Sequence, residues 1–384
     1  MSKVTKARRS MVIYPILFGF FIMGFVDVVG IATNYVKVDF NLSDILANLL
    51  PMLVFLWFAV FSIPTGILMD KIGRKYTVLV ALAITSFAML VPLCYYQFES
   101  ILFAFALLGI GNTMLQVSLN PMVAQVVSKD KITSVLTLGQ FIKAISSFLG
   151  PIIAALAASF WGDWKLIFVV YAATTLLAIV WLFISIEKDK ATEVSGVTFS
   201  TTLSLFKDPY IVMLFFGILA IVGIDVGLNT SIPKLLMEKT GMPLSEAGLG
   251  SSLYFAARTA GSFIGALILV RYSGVKFLKI SMLVALIAFV VMLVTQTVAL
   301  LFVTIVLVSL ACSNVFSIIF SEALQHNPER ANEISALMIM GVSGGALVMP
   351  IMGLLSDNFG QVAGISVLLL CLVFIYLSAF KMKK

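Results

Sequence analysis

"IEKDKATEVSGVTFSTTLSLFKDP", Ile186 to Pro209, is the longest polar stretch in a chain of 384 residues that is 61% hydrophobic and only 11% charged. Soluble globular domains are apolar over about half their residues. With a mean hydropathy of +1.12, this chain is an integral membrane protein instead. On both sides of the polar stretch the apolar runs are about 20 residues long, the length a helix needs to cross the hydrocarbon, and they lack the alternation of barrel strands. Spans are predicted at 11–36, 45–69, 76–97, 101–127, 132–159 and 165–186, then at 210–236, 244–270, 277–296, 298–323, 332–355 and 362–380. The expected architecture is all-α, twelve transmembrane helices in two six-helix halves, 1–186 and 210–384, joined by a cytoplasmic linker at 187–209.

Charge orients the bundle. Nineteen of the 25 lysines and arginines fall in the N-terminal segment, the even-to-odd loops or the C-terminal segment; Lys37, Lys165, Lys234 and Lys239 fall on the other side, and Lys143 and Arg258 lie within spans. The positive-inside rule then expects both termini in the cytoplasm. The basic start "MSKVTKARRS" leads into a run with no small-residue cleavage site, so the first helix is expected to be retained and not removed as a signal peptide. The net charge of +7 reflects this topology and the attraction of anionic headgroups of the lipid bilayer; no nucleic-acid partner is implied. Cys94, Cys312 and Cys371 are spaced for neither a metal site nor a disulfide framework and are expected to pack, while His326 in a short loop is expected to be solvated. With no nucleophile elbow, metal-ligand cluster or phosphate-binding glycine loop, neither an enzyme nor a metal or cofactor is expected.

Each half echoes the other. "GFVDVVGIATNYVK" in the first span and "VGIDVGLNTSIPK" in the seventh both order a small residue, Asp, Gly, Asn and Lys. "GNTMLQVSLNPM" in the fourth similarly pairs with "SNVFSIIF" in the tenth. Repeats of this kind describe a secondary transporter that rocks around a midplane site.

"GILMDKIGRKYTVL", Gly66 to Leu79, resembles the cytoplasmic loop signature of the major facilitator superfamily. Gly66 permits close helix approach, Asp70 can cap or pair, and Gly73 and Arg74 open a basic turn; these are the gating candidates. The matching loop after the eighth span, "GALILVRYSGVKFL", lacks the Asp. Within the superfamily the chain resembles the fucose:proton symporter family. The resemblance runs through "FFIMGF", "LPMLVFLWFAVFSIPTGILMDKIG", "LGIGNTMLQVSLNPMV", "YFAARTAG", "FSIIFSEALQ" and "SALMIMGVSGGALVMPIMGLLSDNFG".

That resemblance implies a sugar substrate, proton symport by alternating access, a monomer, and a bacterial inner membrane. It also implies an Asn-Asp pair in the first helix and a Glu in the fourth, but here those positions are Val29, Gly30 and Gln116. Asp27 remains, on the face of Gly30, and is the proton-coupling candidate, because removal from water favours a carboxyl's protonated form. An ion pair with Lys143, which stands where the family has an uncharged amide, is the alternative. The Gln140 position is implied to contact sugar, and Arg258 to organise the second half, with Asp225 as its partner.

Sugar hydroxyls need groups that donate and accept together. Asn112, Gln116 and Asn120 share one face of the fourth helix, Gln140 and Lys143 one of the fifth, Asp225 and Asn229 one of the seventh, and Asn314 marks the tenth. These residues, with Asp27, are expected to line one central cavity. As interhelical bonds they would instead contribute only about 0.6 kcal/mol each. Asn120-Pro121 and Met349-Pro350 are expected to break their helices locally, and "GVSGG" at Gly341 to Gly345 to bend. An uncoupled facilitator, a carrier of acidic sugars or other small polar solutes, and a non-transporting sensor stay open as alternatives.

Overall fold

The computed structural model describes residues 3–42, 46, 49–186, 197–242, 247 and 249–382. The first span is α1 (Lys3–Met23), a 3₁₀ turn at Gly24–Asp27, and α2 (Val28–Asp39). Then follow α3 (Leu49–Ile72), α4 (Arg74–Cys94), α5 (Phe98–Val126), α6 (Ile132–Trp161) and α7 (Leu166–Ser185). The short α8 (Phe199–Ser204) lies in the linker, whose residues 187–196 are outside the described set. The remaining spans are α9 (Pro209–Thr240), α10 (Leu249–Ile268), α11 (Gly274–Val294), α12 with α13 (Val298–Cys312, Val315–His326), α14 with α15 (Ala331–Met340, Gly344–Phe359) and α16 (Gln361–Lys381).

Every predicted span is present. Among the described residues eleven are long and apolar enough to cross a membrane. The twelfth, α10, is made less apolar by Arg258, Thr259 and its serines.

Two compact units are formed. The first takes residues 1–129, 139–205 and 327–340, the second 130–138, 206–326 and 341–384. In the first, α4 and α3 pack on α5, α7 packs on α4, and α14 packs on α3 and α5. A Cβ added at Gly66 of α3 would stand 2.8 Å from the Cβ of Ala336, so only glycine lets α14 come this close. In the second, α9 packs on α16 and α15, and α12 on α11 and α10. Thr133 and Ser134, at the start of α6, bond there to the Ser321 hydroxyl (2.6 Å) and the Ala266 carbonyl (2.7 Å).

At two of the three helix breaks a polar side chain bonds to a backbone carbonyl. Asn112 of α5 donates to the Met23 carbonyl (2.6 Å) at the end of α1. Asn314, between α12 and α13, donates to the Gly261 carbonyl of α10 (2.9 Å). Gly341–Ser343 forms a 3₁₀ turn between α14 and α15, as "GVSGG" suggests. The two prolines behave otherwise: α5 runs unbroken through Asn120-Pro121, and α15 through Met349-Pro350. Pro121 has no N–H for the Val117 carbonyl four residues earlier, but Ser335 of α14 supplies a donor at 2.6 Å. A proline whose freed carbonyl finds a neighbour is tolerated inside a membrane helix.

Candidate functional site

The 3₁₀ turn in the first span puts Asp27 beside α6. A Cβ on Gly24 would lie 2.5 Å from the Lys143 carbonyl and 2.7 Å from the Ser146 Cβ, so the turn sits directly against that helix. The Asp27 carboxylate accepts a hydrogen bond from Ser147, whose hydroxyl also lies 3.0 Å from the Lys143 carbonyl. The expected alternative partner, the Lys143 ammonium, is elsewhere. Among the described residues it has neither an ion pair nor a hydrogen bond. Gln140, one turn earlier, also has a side chain with no hydrogen bond among them. Behind the turn, Phe25 stacks on Tyr171 of α7 with centroids 3.8 Å apart. Among the described residues the buried Tyr171 and Ser146 hydroxyls have no partner.

The amides of α5 form a ladder tied to the backbone. Gln116 donates to the Asn112 Oδ1 (2.8 Å), and Asn120 donates to the Gln116 carbonyl (2.7 Å). All three are buried. Asn112 is thereby a cap on α1, while the Asn120 Oδ1 is left without a donor.

At the loop Gly66 to Leu79, Gly73 takes φ +84°, a left-handed conformation that favours glycine, and starts α4. Arg74 then spans three elements: it donates to the Asn332 Oδ1 (3.0 Å), the Pro121 carbonyl (3.3 Å) and the Gln125 Oε1 (3.2 Å). Asp70 accepts from the Val197 amide at 3.3 Å. Lys75 donates to the Phe183 carbonyl (2.8 Å) near the end of α7, where its charge suits the negative end of the helix. Arg330 holds the buried Glu333 in a bidentate pair (2.5 and 2.9 Å) and donates to the Thr201 carbonyl of α8 (2.6 Å).

In the second unit, Asp225 forms an ion pair with Arg258 and accepts from the fully buried Tyr254 hydroxyl at 2.6 Å. Asn229, one turn on, has a side chain with no hydrogen bond among the described residues. Asn314 is buried, with its amide nitrogen on Gly261 and Ser313 and its Oδ1 unpartnered. His326, expected to be solvated, lies 2.7 Å from Asp208 and against the Tyr210 ring. Asp208 also caps α9 by accepting from the Tyr210 amide (2.8 Å). Burial works against its charge. The bonds from His326 and Tyr210, with the His326 charge, outweigh that and hold the carboxyl below its ordinary range.

The expected Asp225–Arg258 pair is formed, while the contacts of Ser147, Tyr171, Asn332 and Ser335 were not anticipated from the sequence. Of these only Ser147 carried a signal, lying four residues after Lys143 on the same face of α6.

A bundle of membrane helices with three of its spans interrupted, at Gly24–Asp27, between Cys312 and Val315 and at Gly341–Ser343, is the architecture of a solute transporter. The chain belongs to the major facilitator superfamily, whose sequence pattern matches residues 16–234 and 214–383. A glucose/galactose transporter of Brucella abortus is 25% identical over 359 residues, covering 89% of this chain and 86% of its own. A putative glucose/galactose transporter of Helicobacter pylori is 25% identical over 392 residues, covering 94% of both chains. In fold, the chain is similar to the crystal structure of the E. coli fucose:proton symporter, at a TM-score of 0.85 with 17% identity over 98% of this chain and 99% of that one.

Proposed function

We propose that the protein is a secondary transporter of a monosaccharide, working by proton symport and alternating access in a cell membrane with both termini in the cytoplasm. The observation that carries this reading is the group at the helix break: a carboxylate, Asp27, held by a hydroxyl and not by a cation, next to a helix whose Gln140 is unpaired. A charge at the centre of a membrane costs roughly 2.5–3.5 kcal/mol on insertion scales and is tolerated where it meets a polar cavity.

In this reading Asp27 carries the proton, and Gln116, Gln140 and Lys143 of the first unit meet the sugar. Asn112 and Asn120 contribute by fixing the helix geometry of that unit, and Asn229 and Asn314 are the polar candidates of the second. Asp225 and Arg258 form the frame of the second unit. Gly66, Asp70, Gly73 and Arg74 latch α14 and the linker at one end, and alternating access requires that latch to open. The names of the relatives and of the solved symporter support sugar as the solute and the proton as the coupling ion.

The test is uptake of labelled hexoses, pentoses and hexuronates into proteoliposomes, with and without an inward proton gradient. Accumulation that requires the gradient is expected. Uptake that only equilibrates, whatever the gradient, would make the protein a facilitator, and no uptake of any sugar would refute the substrate class.

A further inference from the structure

We propose that the transported solute is a sugar acid and that Lys143 is the residue that binds its carboxylate. This rests on the reading of the protein as a monosaccharide transporter and narrows its substrate.

Lys143 is the twelfth residue of the 30-residue α6, far from either end. A mid-span cation is expected to be paired. Arg258, the other, is paired, with Asp225. Cations nearer the helix ends are also occupied: Lys239 donates to the Met292, Leu293 and Thr295 carbonyls, and Lys75 to the Phe183 carbonyl. Among the described residues Lys143 alone of the mid-span charges has no counter-charge and no acceptor.

Asp27 is hydrogen-bonded to Ser147 and makes no ion pair with Lys143 among the described residues. Gln140, one turn earlier on the same helix, is a neutral amide that neither repels an anion nor compensates the ammonium. A neutral hexose would leave the charge of Lys143 uncompensated in a drying site, whereas a carboxylate completes an ion pair there. Gln140, free one turn away, can both donate to and accept from a neighbouring hydroxyl.

The experiment compares uptake of a labelled hexose and of the hexuronate that differs from it only at C6, in proteoliposomes of wild type, Lys143→Gln and Lys143→Arg. Wild type is expected to half-saturate with hexuronate at a concentration at least about tenfold below that for hexose. Lys143→Gln should abolish this preference, while Lys143→Arg, which keeps the charge, should retain most of it. Should Lys143→Gln fail to fold, displacement of bound hexose from wild type by hexuronate decides the same question. Transport of hexose with exclusion of hexuronate, or an unchanged preference in Lys143→Gln, overturns the inference and leaves the monosaccharide reading standing. Absence of uptake or binding of either sugar by folded wild type refutes that reading, and the inference with it.

Discussion

Ser335 donates a 2.6 Å hydrogen bond to the Val117 carbonyl, the one carbonyl of α5 that Pro121 deprives of its helical donor. The bond lets α5 carry a proline without breaking, and it ties α14 to α5 beside the contacts of Gly66 with Ala336 and of Arg74 with Asn332.

Ser335→Ala should therefore cost about 1 kcal/mol, the usual contribution of such a bond, read as a lowered melting temperature in detergent. Pro121→Ala restores the N–H that Val117 lacks. In that background Ser335→Ala should cost measurably less; equal costs in both backgrounds would show that the serine does not serve the proline's carbonyl.

The Asp225–Arg258–Tyr254 group makes a different prediction. Removing one partner strands the other in a largely buried place, so Asp225→Asn should destabilise on the order of 2 kcal/mol, less than a fully buried pair because Arg258 is 33% exposed. Asp225→Asn with Arg258→Met should be more stable than Asp225→Asn alone. Thermal unfolding of the four proteins of this cycle measures the difference.

Asp208 should shape the acid limb of stability. Its folded-state affinity for protons is below the ordinary carboxylate's, so its contribution is present above about pH 4 and is lost as pH falls through the lower folded value. The melting temperature of wild type should exceed that of Asp208→Asn between about pH 5 and 6 and converge with it on acidification. A gap that widens on acidification would contradict the assignment.

The fold was legible because membrane helices announce themselves by length and apolarity, and all twelve spans lie where the runs place them. The breaks were less so. A glycine such as Gly24 or Gly341 permits an interruption, but its position depends on a distant amide, as Asn112 reaching Met23 shows. Proline was a misleading sign: α5 runs through Pro121 with the freed carbonyl met by Ser335, 214 residues away in sequence, and α15 runs through Pro350 as well. At the candidate site, residue types and helix faces singled out Asp27, Gln140 and Lys143 as candidates. That Ser147 and not Lys143 bonds Asp27 could not be read, since the two share a helix face and spacing does not say which side chain reaches the carboxylate.

The central claim is that Asp27 couples solute movement to a proton. It is tested most directly by comparing wild type and Asp27→Asn in proteoliposomes for two processes, accumulation driven by an inward proton gradient and gradient-free exchange of labelled for unlabelled solute. Loss of accumulation with exchange retained is the expected result. Accumulation that persists in Asp27→Asn would contradict the account and make Asp27 a structural partner of Ser147.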